Sequence, residues 1–272
     1  MINKDNKIGF IGAGNMASAL ISGLVNAQKN PNSIMASSPE DNHLESLSSE
    51  FGILTTKNNA EIAESCEIIL LAVKPHIIKE VLKDISSHIK PNKHLIISIA
   101  AGIKIEDIQA LLNVEQKIIR AMPNTPASIR RGVTALCNNS QTDLMDKNVA
   151  EEIFKSVGVT CWLQEDSLDQ YTALIGSGPA YVFYFIEAML EASKDLNLEG
   201  EDIKNLLIEM IIGSSELANI SSEEPGILRK KVTSPGGVTE RAIEIFEEKR
   251  IKQSILTAIK EATQRSIKLG NK

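Results

Sequence analysis

Ile8-Gly9-Phe10-Ile11-Gly12-Ala13-Gly14-Asn15-Met16-Ala17 reads as a strand, a glycine turn and a helix start within ten residues. The apolar run at 8–11 supplies the strand, and Met16, Ala19, Leu20, Gly23 and Leu24 recur at the spacing of one helix face. Between them Gly12 permits a tight turn, and Gly14 lets the main chain approach a pyrophosphate. Ala17 is small enough for helix and strand to pack closely. The first helical turn, from about Asn15, aims unpaired N–H groups and the positive end of its dipole at phosphates. Gly12, Ala13, Gly14, Asn15 and Met16 are therefore candidates for a dinucleotide site.

Outward from this turn, short apolar strands at 34–36, 68–73, 95–99, 118–122, 133–137 and 159–163 alternate with helical patterns. Ile68-Ile69-Leu70-Leu71-Ala72-Val73 is apolar without alternation, as in a strand buried on both faces. The pattern predicts a Rossmann-like, doubly wound parallel sheet in a domain spanning 1–164. In such sheets ligands bind outside the carboxyl ends of strands. Ala72-Val73-Lys74-Pro75, Ser98-Ile99-Ala100-Ala101-Gly102 and Met122-Pro123-Asn124-Thr125-Pro126 should then line the cleft. Lys74 can approach a cofactor there or be solvated beyond the strand.

The second strand ends in Ser37-Ser38-Pro39, with no carboxylate to repel a ribose 2′-phosphate and with hydroxyls and N–H groups to accept one. That favours NADPH, with NADH possible, although no arginine stands nearby. Ser38 also suits a helix N-cap, with Pro39 at the first helical position.

After Gln164 the strand pattern ends, and helices are predicted near 167–195, 200–220, 224–231, 239–247 and 249–269. These form an all-α domain over 165–272. Gly176-Ser177-Gly178-Pro179 should kink the first helix. Beyond it Tyr181-Val182-Phe183-Tyr184-Phe185-Ile186 is apolar around its circumference and must be covered on more than one side. With few aromatics available, a second subunit is expected to complete the cover. Gly213, Ser214, Ser215 and Ala218 would permit close helix approach.

Other classes fit poorly. A formal charge of −6 with interspersed signs leaves no basic stripe for nucleic acid. The longest unbroken apolar stretch, 180–186, falls short of the ~20 residues of a membrane helix. Met1-Ile2-Asn3-Lys4-Asp5 lacks a signal core, so a soluble cytoplasmic protein is expected. Cys66, Cys137 and Cys161 suggest neither disulfides nor a zinc cluster. His43, His76, His88 and His94 have no nucleophile motif or metal-ligand spacing around them, and no metal is expected.

Thr233-Ser234-Pro235-Gly236-Gly237-Val238-Thr239-Glu240 joins two helices through a proline and paired glycines. Read by itself it is either a capped interhelical turn or an anion cradle of inward-turned amides at a helix N-terminus, sized for a small carboxylate. This segment, with 12–16, 72–75, Arg120-Ala121-Met122-Pro123-Asn124-Thr125-Pro126 and Gly176-Ser177-Gly178-Pro179-Ala180-Tyr181, strongly resembles pyrroline-5-carboxylate reductase across about 7–269. The resemblance implies NADPH-dependent reduction of 1-pyrroline-5-carboxylate to L-proline, the last step of proline biosynthesis. It also implies a helical dimerisation domain interlaced with its partner, so that each active site draws on both subunits of a homodimer or homodecamer.

Site residues follow by position. Ser38, Asn59, Ala72 to Pro75 and Ile99-Ala100-Ala101 match cofactor contacts, with Ser37 beside them. Glu165, Val238 and Thr239 match substrate or product contacts. Ser234, Gly236 and Gly237 join them through the carboxylate cradle, and Thr239 is the catalytic candidate, orienting the ring nitrogen or relaying a proton. Lys230 departs from the acidic residue common at its position in the family, which alters contacts near the interface. The rival enzyme is a β-hydroxyacid dehydrogenase or related imine reductase, whose lysine-bearing motif is replaced here by Gly176-Ser177-Gly178-Pro179. A non-catalytic dinucleotide sensor is the alternative outside enzymes.

Overall fold

The computed structural model describes residues 6–112, 114–196, 198 and 200–270. The N-terminal Met1 to Asp5, read above for a signal core, lies outside them. The described residues divide into two compact units: those up to Ser177 together with those from Thr263 onward, and Gly178–Ala262.

The first unit alternates β1 (Ile8–Ile11), α1 (Asn15–Asn26), β2 (Ile34–Ser37), α2 (Asp41–Phe51), β3 (Leu54–Thr56), α3 (Asn59–Ser65), β4 (Ile68–Leu71), α4 (Ile78–Ile85), β5 (Leu95–Ser98), α5 (Ile105–Leu111), β6 (Lys117–Met122), β7 (Gly132–Asn138), α6 (Leu144–Lys155), β8 (Gly158–Trp162) and α7 (Leu168–Tyr171). The strands form one sheet in the order β3-β2-β1-β4-β5-β6-β7-β8. Ile68 and Leu70 pack into the core on one face, Ile69 and Leu71 into the core on the other, which is why β4 is apolar at every position. Ile78, Val81, Leu82 and Ile85 make the i, i+3, i+4, i+7 stripe of α4, all buried.

Two details depart from the sequence expectation. β7 runs antiparallel to β6, with Met122 opposite Ala135 and Ile119 opposite Asn138. Their connection holds only a short 3₁₀ turn at Thr125–Ile129, too brief for the crossover that a parallel pair requires. β3, unpredicted, is a three-residue edge strand paired with β2, its exposed Leu54 breaking the apolar run.

The second unit is helical: α8 (Gly178–Asp195), α9 (Glu201–Ile220), α10 (Pro225–Lys231), α11 (Val238–Glu248) and α12 (Ile251–Gly270), whose last turns group with the first unit. There Ser266 Oγ donates to Asp169 Oδ1 at 2.5 Å, and Gly270 packs on Gly102. At the position of the expected kink, the helical run is interrupted by a π-helical turn at Thr172–Gly176 and a bend at Ser177, after which Pro179 falls in the first turn of α8, where its missing N–H breaks no helical bond. Tyr181, Val182, Phe183, Tyr184 and Phe185 are all exposed in the single chain. By length and composition the helical run Glu165–Asp195 could cross a membrane, and 6% of its most apolar window is buried. Small and polar residues interrupt the apolar stretch but leave the mean hydropathy at 1.4.

Candidate active site

The strand order reverses at β1, between β2 and β4, and there the glycine turn lies. Gly12 N–H donates to Ser37 O at 2.9 Å, and Ala72 N–H to Ile11 O at 2.8 Å, so the turn is laced to both neighbouring strands. Its φ of +105° and a Cβ that would lie 2.5 Å from Ala72 O leave only glycine at this position. Gly14 differs: its φ is ordinary, and a Cβ there would meet no atom within 4 Å. The space beside Gly14 is open, at the N-terminus of α1, a twelve-residue helix with no side-chain cap and no acid in its first turn. Uncompensated amides facing open space beside a strand-end crevice fit a pyrophosphate. Ala13 and Ala17 are buried behind the turn.

The other cofactor candidates surround this crevice. Ala72 and Val73 continue from β4, and Lys74 caps a 3₁₀ turn that begins at Pro75 and is exposed. Ile99 N–H donates to Leu71 O at 3.1 Å, Ala100 is buried and Ala101 exposed. Ser37 is fully buried. Its hydroxyl donates to Asn59 Oδ1 at 2.7 Å, while Asn59 Nδ2 donates to Asp84 at 3.1 Å. Ser37 and Asn59 thus fix the ends of β2 and α3 to each other. Ser38 Oγ accepts from Glu40 N–H at 3.2 Å, and its own N–H reaches Thr56 O at 3.3 Å. Next to Thr56 stands a cation that the sequence reading passed over: Lys57 Nζ lies 2.7 Å from Asp41 Oδ1. The signal was β3 itself, marked by Gly52 before it and Asn58, the N-cap of α3, after it.

Glu165 belongs to the first unit. Its Oε1 accepts from Ile105 N–H at 2.8 Å, at the start of α5, and from the Arg120 guanidinium at 3.1 Å. Arg120 is buried at the centre of β6, and the pair borders a polar cavity of about 280 Å³ together with Lys104, Asp166 and Asp169. Burial first, and the Glu165 charge second, push the nearby Cys137 thiol up to about 12; burial and Glu67 push Cys66 to about 11. Neither is a thiolate nucleophile at neutral pH.

In the second unit Ser234-Pro235-Gly236-Gly237 is a type II β-turn. Gly237 N–H donates to Ser234 O at 3.0 Å, Pro235 occupies the second position and Gly236, at φ +71°, the third. Gly236 N–H donates to the Glu240 carboxylate at 2.6 Å. The Gly236 and Gly237 amides of the expected carboxylate cradle are therefore committed within the turn, because closing the turn and capping it consume them. The amides of Val238 and Thr239, the first two of α11, have no acceptor among the described residues, and both side chains are exposed. Among the described residues no three His, Cys, Asp or Glu side chains converge as a metal site.

A pyrroline-5-carboxylate reductase of Pseudomonas aeruginosa is 38% identical over 266 residues, covering 97% of both chains. This chain belongs to the pyrroline-5-carboxylate reductase family. The family model described as pyrroline-5-carboxylate reductase dimerisation matches residues 165–269, and one described as NADP oxidoreductase, coenzyme F420-dependent, matches 7–102. Among solved structures, the pyrroline-5-carboxylate reductase of Coxiella burnetii superposes with a TM-score of 0.90 at 36% identity, covering 97% of this chain and 98% of that one. The Plasmodium falciparum pyrroline carboxylate reductase, solved with NADP bound, does so with a TM-score of 0.90 at 32% identity over 98% and 99%. Both the glycine cradle and the Ser234–Gly237 turn fall within these full-length matches.

Proposed function

We infer that this pyrroline-5-carboxylate reductase family member reduces 1-pyrroline-5-carboxylate to L-proline with NADPH. The observation that carries the reading is the pairing, in one chain, of an open dinucleotide cradle at Gly12–Met16 with a glycine turn that leaves two helix-end amides unpaired. When bound, NADPH supplies the hydride. Gly12 shapes the turn, and the amides of Ala13 to Met16 in the turn and the first turn of α1 hold its pyrophosphate, with Ser37, Ser38, Asn59, Ala72 to Pro75 and Ile99 to Ala101 lining the rest of its path.

The Val238 and Thr239 amides hold the substrate carboxylate, with the α11 dipole adding roughly 0.3–2 kcal/mol. Ser234, Gly236 and Gly237 shape that cradle. The Thr239 hydroxyl orients the ring nitrogen, donating to it when the imine is neutral and accepting from it when protonated. A threonine is a weak acid, so it relays a proton from water instead of supplying one outright, and an imine protonated in solution needs little more. Glu165, which matches a substrate or product contact, fixes Arg120 and the start of α5 within the first unit. By role, residues 1–164 serve the cofactor and 165–272 dimerisation and substrate binding, a division that differs from that of the two compact units; the exposed apolar α8 is covered by interlacing with a second copy and not by lipid. The protein works in the cytoplasm without nucleic-acid partners.

Steady-state NADPH oxidation tests the reading, with 1-pyrroline-5-carboxylate compared against its six-membered homologue and a 3-oxo acid. Turnover with the five-membered imine and none with the oxo acid is expected. Turnover of the oxo acid alone would assign the chain to β-hydroxyacid chemistry. Thr239→Ala should lower kcat by about 10²-fold, the lower end for proton-transfer catalysis. An unchanged kcat/KM removes Thr239 from the mechanism.

A further inference from the structure

We propose that Lys57 is the residue by which this chain distinguishes the 2′-phosphate of NADPH from the free 2′-hydroxyl of NADH, with Asp41 as its counterweight. The inference rests on the reading of the glycine cradle as a dinucleotide site and goes beyond it.

In a sheet of this order the adenine ribose lies against the end of the second strand. That end is Ser37-Ser38, and β3 runs parallel beside it, with Ser37 opposite Thr56 and Ser38 N–H on Thr56 O. Lys57 is the next residue, and its ammonium sits 2.7 and 2.8 Å from the two oxygens of Asp41, the first residue of α2. Ser38, itself 94% buried, takes the Glu40 N–H on its oxygen and keeps its hydroxyl hydrogen for an outside acceptor. Polar side chains nearby include His43, 3.5 Å from Glu40, and the acidic Glu61, which accepts from Thr56 Oγ1 at 2.6 Å.

Lys57 and Asp41 are 58% and 64% exposed, and an ion pair that wet contributes little. Lys57 therefore leaves Asp41 at small cost when a stronger anion arrives. A 2′-phosphate, carrying nearly two charges at neutral pH, is such an anion, and a hydroxyl is not. With NADH the ammonium stays on Asp41 and adds nothing to binding. Asp41 opposes the phosphate in both roles, by holding Lys57 back and by its own charge, so the pair sets the preference without touching the hydride-transfer end. Neither group enters the chemistry.

The fragments 2′,5′-ADP and 5′-AMP carry the difference and lack nicotinamide, so calorimetric titration of both into the intact protein isolates this subsite from turnover. Lys57→Met is expected to weaken 2′,5′-ADP roughly tenfold, a charge-assisted contact discounted for exposure, and to leave 5′-AMP within about twofold. Asp41→Asn should tighten 2′,5′-ADP about threefold, and Lys57→Arg should keep the preference. A Lys57→Met protein whose two affinities keep the ratio of the unsubstituted protein, whether both fall or neither does, overturns the proposal. Such a result leaves the reductase reading intact, just as absent imine turnover with a Lys57-dependent 2′,5′-ADP preference would leave this one standing.

Discussion

At the scale of single residues, the buried His94 and the Glu165–Arg120 pair carry consequences. His94 is 1% exposed, its Nδ1 accepts from Lys90 N–H at 2.9 Å, and its carbonyl takes the Gln116 side-chain amide. Burial first, and the Lys93 charge second, push its pKa from 6.5 down to about 4. Between those values the unfolded chain binds a proton that the folded one refuses. Stability is complete above about pH 6.5 and is lost as the pH falls toward 4, by roughly 2–4 kcal/mol from this site. Urea denaturation at stepped pH should show a shallower slope in that window for His94→Gln; an identical slope would remove His94 as the source. Glu165 makes a different claim. With Arg120 6% and Glu165 29% exposed, Glu165→Gln strands a buried guanidinium and should cost roughly 2 kcal/mol, below the fully buried range. A variant that unfolds with the same midpoint but loses turnover would show that Glu165 acts on ligand alone.

At the scale of elements, the turn before α11 depends on the left-handed backbone of a single residue. Gly236 at φ +71° has no room for compromise, since an alanine there pays about 1–2 kcal/mol in backbone strain. Gly236→Ala should therefore tilt the first amides of α11 and raise KM for the imine more than it lowers kcat, in initial-rate measurements at saturating NADPH. A fall in kcat with KM unchanged would argue against a carboxylate at those amides. How far such elements are legible beforehand depends on how local their causes are. The strand-turn-helix at 8–26, the all-apolar β4 and the helices of the C-terminal half follow from periodicity and glycine placement, which neighbours reinforce. β3 escaped because three residues with an exposed Leu54 carry no period, and with it went Lys57. The antiparallel β7 escaped because its apolar pattern matches a parallel strand, and only the length of the loop before it decides direction. That Gly236 and Gly237 spend their amides inside the turn is likewise invisible in Ser-Pro-Gly-Gly, since it depends on where Glu240 folds back.

At the scale of the whole molecule, the second unit exposes too much apolar surface for a chain that acts alone. Phe183 is 62% and Tyr184 75% exposed, and Leu206, Met210, Leu217 and Ile255 add to the same helical unit. Patches of that kind mark an interface, and the dimerisation model spans 165–269. Association then contributes to stability by mass action, so the thermal midpoint of the native protein should climb as its concentration rises. Phe183→Asp tests whether that interface covers this face of α8, because it puts a charge on a side chain that is 62% exposed in the free subunit. The isolated subunit tolerates it, because Phe183 has little burial there to lose, whereas the assembly must desolvate an unpaired carboxylate, a cost of several kcal/mol. Light scattering behind a sizing column should find the variant dissociated at concentrations where the native protein is not, its helical circular dichroism retained and its midpoint no longer concentration-dependent. A Phe183→Asp protein that elutes at native mass with a native midpoint would place the interface on another face of the helical unit. Binding of the native protein to vesicles, weakened by the same substitution, would instead give the apolar face of α8 to lipid.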